Sequence, residues 1–253
     1  MLARVLNEMK TLGVEEVFFD GLTREDALGQ ARALGRHSGG RAKGAATTPT
    51  AAAGPTAAAA TDGALPVLPP GYDDARQEAL GCRRCRLAEG RTQVVYSDGN
   101  PNARLMVVGE APGQREDESG LPFVGPAGQL LDLLLATVGL SRKESVYICN
   151  VLKCRPPGNR NPLPDEIELC SPYLRRQIEL VRPEVILAVG TFAAQLLTGQ
   201  PLALGKLRGT VYSYADSPLV VTYHPAALLR NQSWTRSTWD DLQLLRHVMD
   251  GSP

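Results

Sequence analysis

The sequence predicts an α/β domain with a mostly parallel sheet and helices on both faces, and three observations carry that expectation. Short β-branched runs recur between turn residues: "ARLMVVG" (103–109), "SVYICNV" (145–151), "EVILAVG" (184–190) and "PLVVTYH" (218–224). Segments of helical periodicity separate or follow them, namely "PAGQLLDLLLATVGL", "PDEIELCSPYLRRQIELV", "TFAAQLL" and "STWDDLQLLRHVMD". The strand-like runs are almost continuously apolar, as strands covered on both faces must be.

Taken in order, residues 1–35 carry helical punctuation. "LARVLNEM" spaces its apolar residues as a helix does, and "TREDALGQARAL" opens with Thr23 as an N-cap and Asp26 three positions on, so a small helical appendage is expected. Residues 36–70 collapse to Ala, Gly, Thr and Pro, as in "GAATTPTAAAGPTAAAATDGALPVLPP". Such a stretch buries too little apolar surface to offset its ordering entropy and is expected to be a disordered linker. Residues 71–253 form the α/β domain.

A chain of 253 residues has room for one such domain with extra material. Its 27 basic and 27 acidic residues balance, which neither suggests nor excludes nucleic acid, because binding depends on where charge lies. No run is long enough to span a membrane, and "MLARVLNEMKTLG" lacks the apolar core of a signal peptide, so a cytoplasmic protein without membrane contact is expected. In that reducing compartment, five cysteines point to ligands, catalysts or core rather than disulfides.

Each predicted strand ends in something chemically distinctive. The first runs into "GEAPG" (109–113), the second ends at Asn150, the third at Gly190 before Thr191, and the fourth at His224. Ligands of open α/β sheets bind at the carboxyl ends of strands, so Glu110, Asn150 and His224 are expected to converge. "GEAPG" is neither a P-loop nor GxGxxG, which disfavours nucleoside triphosphate chemistry. Cys82 and Cys85 form a CxxC knuckle, while Cys154 and Cys170 lie near the ends of a proline-rich loop. Four thiolates so spaced suit either zinc or an iron–sulfur cluster. Cys149 alternates onto the face opposite Asn150 and reads as an ordinary buried thiol.

Together, "GEAPG…PFVGPAG", "YICNVLKCRPPGNRNP" and "YHPAALLR" resemble the family 4 uracil-DNA glycosylases, the iron–sulfur branch of their superfamily, over residues from about 76 to 248. The resemblance implies a three-layer α/β/α sandwich around a four-stranded parallel sheet, and a monofunctional enzyme that excises uracil from DNA in base excision repair. It implies a 4Fe–4S cluster on Cys82, Cys85, Cys154 and Cys170; a structural staple that holds Arg83, Arg84, Arg86, Arg155 and Arg160 beside the DNA is the expected role, with redox sensing as the alternative. It also implies that Phe123 stacks on the flipped base, that Asn150 reads its edge, and that His224 donates to uracil O2.

Ala111 stands where the best-known branch has an aspartate that orients water, so Glu110 becomes the candidate for positioning water or contacting the base. Gly113 stands where that branch has a tyrosine that rejects thymine, and Glu116 is the expected replacement wall. "HPAALLR" is expected to supply a wedge, Leu228 or Leu229, and a phosphate contact, Arg230. The partner is uracil-containing DNA, and a monomer is expected. Two other functions compete: a module that captures uracil-DNA without turnover, and a zinc-stapled protein handling small nucleotides. Capture in a related branch uses a histidine in a basic loop, whereas "QREDESGLP" (114–122) is acidic and has none.

Overall fold

The apolar runs form strands and the periodic segments form helices in the computed structural model, which describes residue 68 and residues 70–251. The predicted N-terminal helices and almost all of the linker lie outside the described residues. Helices α1 (Tyr72–Leu80) and α2 (Leu87–Gly90) lead into strands β1 (Asp98–Gly99) and β2 (Leu105–Gly109). Helices α3 (Gln114–Ser119) and α4 (Pro126–Thr137) then lead to β3 (Val146–Asn150), and α5 (Pro164–Val181) to β4 (Val185–Val189). Helices α6 (Thr191–Thr198) and α7 (Leu204–Leu207), strands β5 (Tyr212–Tyr214) and β6 (Ser217–Thr222), and helices α8 (Pro225–Arg230) and α9 (Thr235–Met249) complete the chain.

The sheet order is β1-β3-β2-β4-β6-β5. The four inner strands, β3, β2, β4 and β6, run parallel as expected. Strands β1 and β5 add antiparallel edges absent from the expected sheet. Neither is long enough to display a period-2 pattern, so sequence alternation could not reveal them.

Alternate strand residues feed two separate cores. Leu105, Val107, Val146, Ile148, Val185, Leu187 and Val220 pack with Leu131 and Leu135 of α4 and Leu242 and Leu245 of α9. Met106, Val108, Tyr147, Cys149, Ile186, Ala188 and Val221 pack with Leu174 and Ile178 of α5 and Ala193 and Leu197 of α6. Two cores on opposite faces make the three-layer sandwich. Cys149 is fully buried on the α5 side, as expected of an ordinary thiol. Because β3 and β4 flank β2 on opposite sides, chain direction across the sheet reverses at β2, which opens a crevice at the carboxyl ends. Among the described residues no helix is long and apolar enough to cross a membrane.

Candidate active site

That crevice is a cleft of about 800 Å³, and Glu110, Ala111, Glu116, Phe123, Asn150, His224 and Arg230 all line it. Residues far apart in sequence meet because each follows or ends a parallel strand. The closeness is such that a Cβ on Gly109 would stand 2.3 Å from Asn150 Oδ1 and 2.6 Å from Phe123 Cζ. Only glycine ends β2 without displacing both side chains.

Asn150 closes β3 and is almost wholly buried, yet its Oδ1 has no hydrogen-bond partner. An orphaned buried acceptor is costly, and one in a cleft wall marks the place where a ligand donor fits. Glu110 is half-buried, and burial alone raises its carboxyl above the usual range. No donor among the described residues engages it.

Phe123 is held in a left-handed backbone conformation, φ 55°, which is unfavourable by about 1–2 kcal/mol for a side chain of this kind. Arg142 holds it there: Nη1 donates to Pro122 O at 3.0 Å and Nη2 to Phe123 O at 2.7 Å. Asp98 and Asp132 anchor the guanidinium in turn, at 3.0 and 2.8 Å. Nothing in the sequence around Arg142 signals this role, since its partners come from three other segments.

Glu116 braces the same loop. Its Oε1 accepts from the amides of Val124 and Gly125, each at 2.9 Å, and its Oε2 from Gly113 at 3.1 Å. A Cβ on Gly113 would lie 2.7 Å from that Oε2, so the Glu116 carboxylate fills the space into which a side chain at 113 would project. Next to it, buried Asp117 accepts from the Thr92 and Gln93 amides. The acidic "QREDES" stretch thus stitches loops together.

His224 lies past the end of β6, which stops at Thr222 rather than running on to the histidine as predicted. It caps α8, and its Nδ1 accepts the Ala226 amide at 3.2 Å. An accepting Nδ1 leaves the ring proton on Nε2. Burial, with the nearby Arg230, pushes its pKa down to about 4, so the ring is neutral at physiological pH. The Phe123 and His224 rings stack at 5.4 Å and 26°. A flat ring between them would need about 7 Å, twice a contact distance, so the pair leaves no slot between its two rings.

Arg230 lines the cleft and is exposed. Leu228 is not a wedge: it is 3% exposed within the α4–α9 core, because α8 turns that face inward. Leu229 is half-buried against the same core. A stack unforeseen in the sequence lines the cleft instead, with Tyr223 and Trp234 parallel at 4.6 Å and Arg208 over Tyr223 at 4.5 Å.

Cys82, Cys85, Cys154 and Cys170 line one small cavity, which Cys149 does not reach. Two N–H donors point at its sulfurs: Arg91 Nη1 to Cys154 and the Lys153 amide to Cys170, both at 3.3 Å. Burial raises the thiols of Cys85 and Cys154, and that of Cys170 to about 12. Among the described residues no three His, Cys, Asp or Glu side chains are arranged to hold a single metal ion. The expected basic patch around these loops is largely neutralised. Arg84 pairs with Glu78, Arg86 with Asp165, and Arg160 with fully buried Glu166. Arg155 donates to Asn159, and Arg83 remains exposed.

A model of the Uracil DNA glycosylase superfamily matches residues 96–243. The chain is 46% identical to the type-4 uracil-DNA glycosylase of Archaeoglobus fulgidus over 165 residues, covering 62% of this chain and 82% of that protein. It is equally similar, 46% over 154 residues, to the type-4 uracil-DNA glycosylase of Thermotoga maritima, covering 60% and 80%. The type-5 uracil-DNA glycosylase of Pyrobaculum aerophilum is 34% identical over 190 residues, covering 62% and 83%.

Proposed function

This chain belongs to the uracil DNA glycosylase superfamily, and from that premise we propose that it hydrolyses the N-glycosidic bond of uracil flipped out of DNA, in base excision repair. The observation that carries the reading is the unpartnered Asn150 Oδ1 in the cleft wall. Uracil presents N3–H, which Oδ1 accepts, and O4, which accepts from Nδ2. Cytosine presents the reverse pattern and leaves both partners buried and unpaired. The base leaves the duplex because its glycosidic bond is out of reach inside the stack.

Phe123 supplies the stacking surface, and Glu116 closes the side where a 5-methyl group would enter. As the bond breaks, negative charge gathers on uracil O2, and the Nε2–H of neutral His224 donates to it. Glu110 positions the attacking water, since its carboxylate faces the cleft without an internal donor. Arg230 contacts phosphate. Incubating the protein with a single-uracil oligonucleotide and then alkali tests the reading. Cleaved strand is expected; a complex that survives denaturation, or an intact strand, overturns it.

The four cysteines fit a 4Fe–4S cluster better than zinc. Zn–S bonds of roughly 2.3 Å draw tetrahedral thiolates together around one ion, whereas a cluster seats each thiolate on its own iron. Four thiols that wall one cavity without being gathered, among the described residues, around a single point suit the second arrangement; the N–H donors on two of the sulfurs are compatible with either. When bound, the cluster staples the segment after α1 to the loop leaving Asn150 and to α5. Cys154→Ala should abolish visible thiolate-to-iron absorbance. A colourless wild type with stoichiometric zinc would sink the assignment.

Arg142→Met tests the bracing of Phe123. Releasing the loop shifts the stacking ring, and misplacement on the order of 1 Å slows a reaction about 100-fold. Single-turnover excision should fall by roughly 10- to 100-fold, with salt dependence of DNA binding unchanged. An unaltered rate would remove Arg142 from the site's support.

A further inference from the structure

Lys153 touches both centres invoked above. It is 2% exposed and pairs with no carboxylate among the described residues. Its Nζ donates to the backbone carbonyl of Asn150 at 2.6 Å and to Gln177 Oε1. Its own amide donates to Cys170 Sγ, and its carbonyl accepts from Val95. Gln177 is fully buried on α5, and its Nε2 donates to Tyr96 O at 3.0 Å and Tyr147 OH at 2.9 Å, which turns Oε1 toward Lys153.

A buried ammonium is a poor way to gain stability, because an apolar side chain of the same length fills the space without desolvating a charge. What an apolar side chain cannot do is grip the main chain of Asn150. Beyond Asn150 the chain leaves β3 for the cysteine loop, and Val151 N to Gly109 O and Leu152 N to Glu110 O hold it to the first motif. The Lys153 side chain ties the Asn150 peptide to Gln177 of α5.

We propose that Lys153 is a positioning residue that sets the Asn150 carboxamide for base reading and makes base discrimination depend on the packing around the cysteines. This rests on the glycosylase reading given above. The test compares full-length wild type with Lys153→Met, which keeps length and removes the donor. Iron content, thermal unfolding, single-turnover excision and binding of oligonucleotides bearing non-cleavable 2′-fluoro-deoxyuridine or cytidine are measured.

Lys153→Met is expected to keep its iron and its melting temperature. It should excise uracil on the order of 100-fold more slowly and lose preference for the uridine oligonucleotide. Wild-type excision and preference in this variant overturn the proposal, and so does a fall in stability alone. If Lys153→Met does not fold or loses iron, Gln177→Met decides: weakened uridine preference supports the proposal and an unchanged one overturns it. Failure of the wild type to release uracil is a different outcome, which removes the glycosylase reading and this inference with it.

Discussion

Asn150→Ala is expected to lose most of the selectivity for uracil over cytosine, together with most of the excision rate. Two mispaired buried groups, at about 1–3 kcal/mol each, correspond to roughly 30-fold to 10⁴-fold discrimination. Alanine forfeits both contacts. The backbone of β3 should persist, because its register with β2 does not involve the carboxamide. Single-turnover rates on matched uracil and cytosine oligonucleotides check this, with thermal unfolding as the control for folding. A variant that still prefers uracil by the wild-type margin would mean that another group reads the base edge.

His224→Ala is expected to slow the bond-breaking step by about a hundredfold to a thousandfold, the usual consequence of losing one preorganised donor to a developing oxyanion, about 2.7–4 kcal/mol. Binding of uracil-DNA should be largely retained, because the charge on O2 develops only as the bond breaks. Near-wild-type single-turnover rates would exclude His224 from the mechanism. The neutral ring has a separate consequence. Its folded pKa, about 4, lies below the ordinary 6.5, so between those values the unfolded chain binds a proton that the folded chain refuses. Stability from this group is complete above about pH 6.5 and declines as pH falls toward 4. Denaturant unfolding at pH 7 and pH 5 should show a smaller pH difference in His224→Gln than in wild type. An equal difference would contradict a buried neutral imidazole.

Much of this site is legible from residue order. Glu110, Asn150 and His224 each follow or end an apolar run, and parallel strands deliver their carboxyl ends to one edge, so convergence follows from periodicity and topology. Leu228 was misplaced for a physical reason. A leucine pair in "PAALLR" reads equally as wedge or core, and only the roll of α8 against α4 and α9 turns Leu228 inward. The arginines of "CRRCR" and "GNRNP" looked like a basic patch, because their acidic partners, Glu78, Asp165 and Glu166, sit in helices whose packing is invisible in linear order.

The chain's own order of residues determined the parallel core, the layers on its two faces, the cysteine set and the three polar groups at the strand ends, since all depend on spacing along the chain. Tertiary structure alone decided how those groups are supported. Arg142 clamping a left-handed Phe123 and Gln177 of α5 holding the Lys153 side chain are contacts between segments brought together only by folding, while Glu116 at Gly113, the Ala226 amide on His224 and Lys153 on Asn150 are short-range contacts whose geometry the folded turns set. Spacing carries the first kind of information because secondary structure is periodic; the second depends on which side chains face each other once the layers have closed.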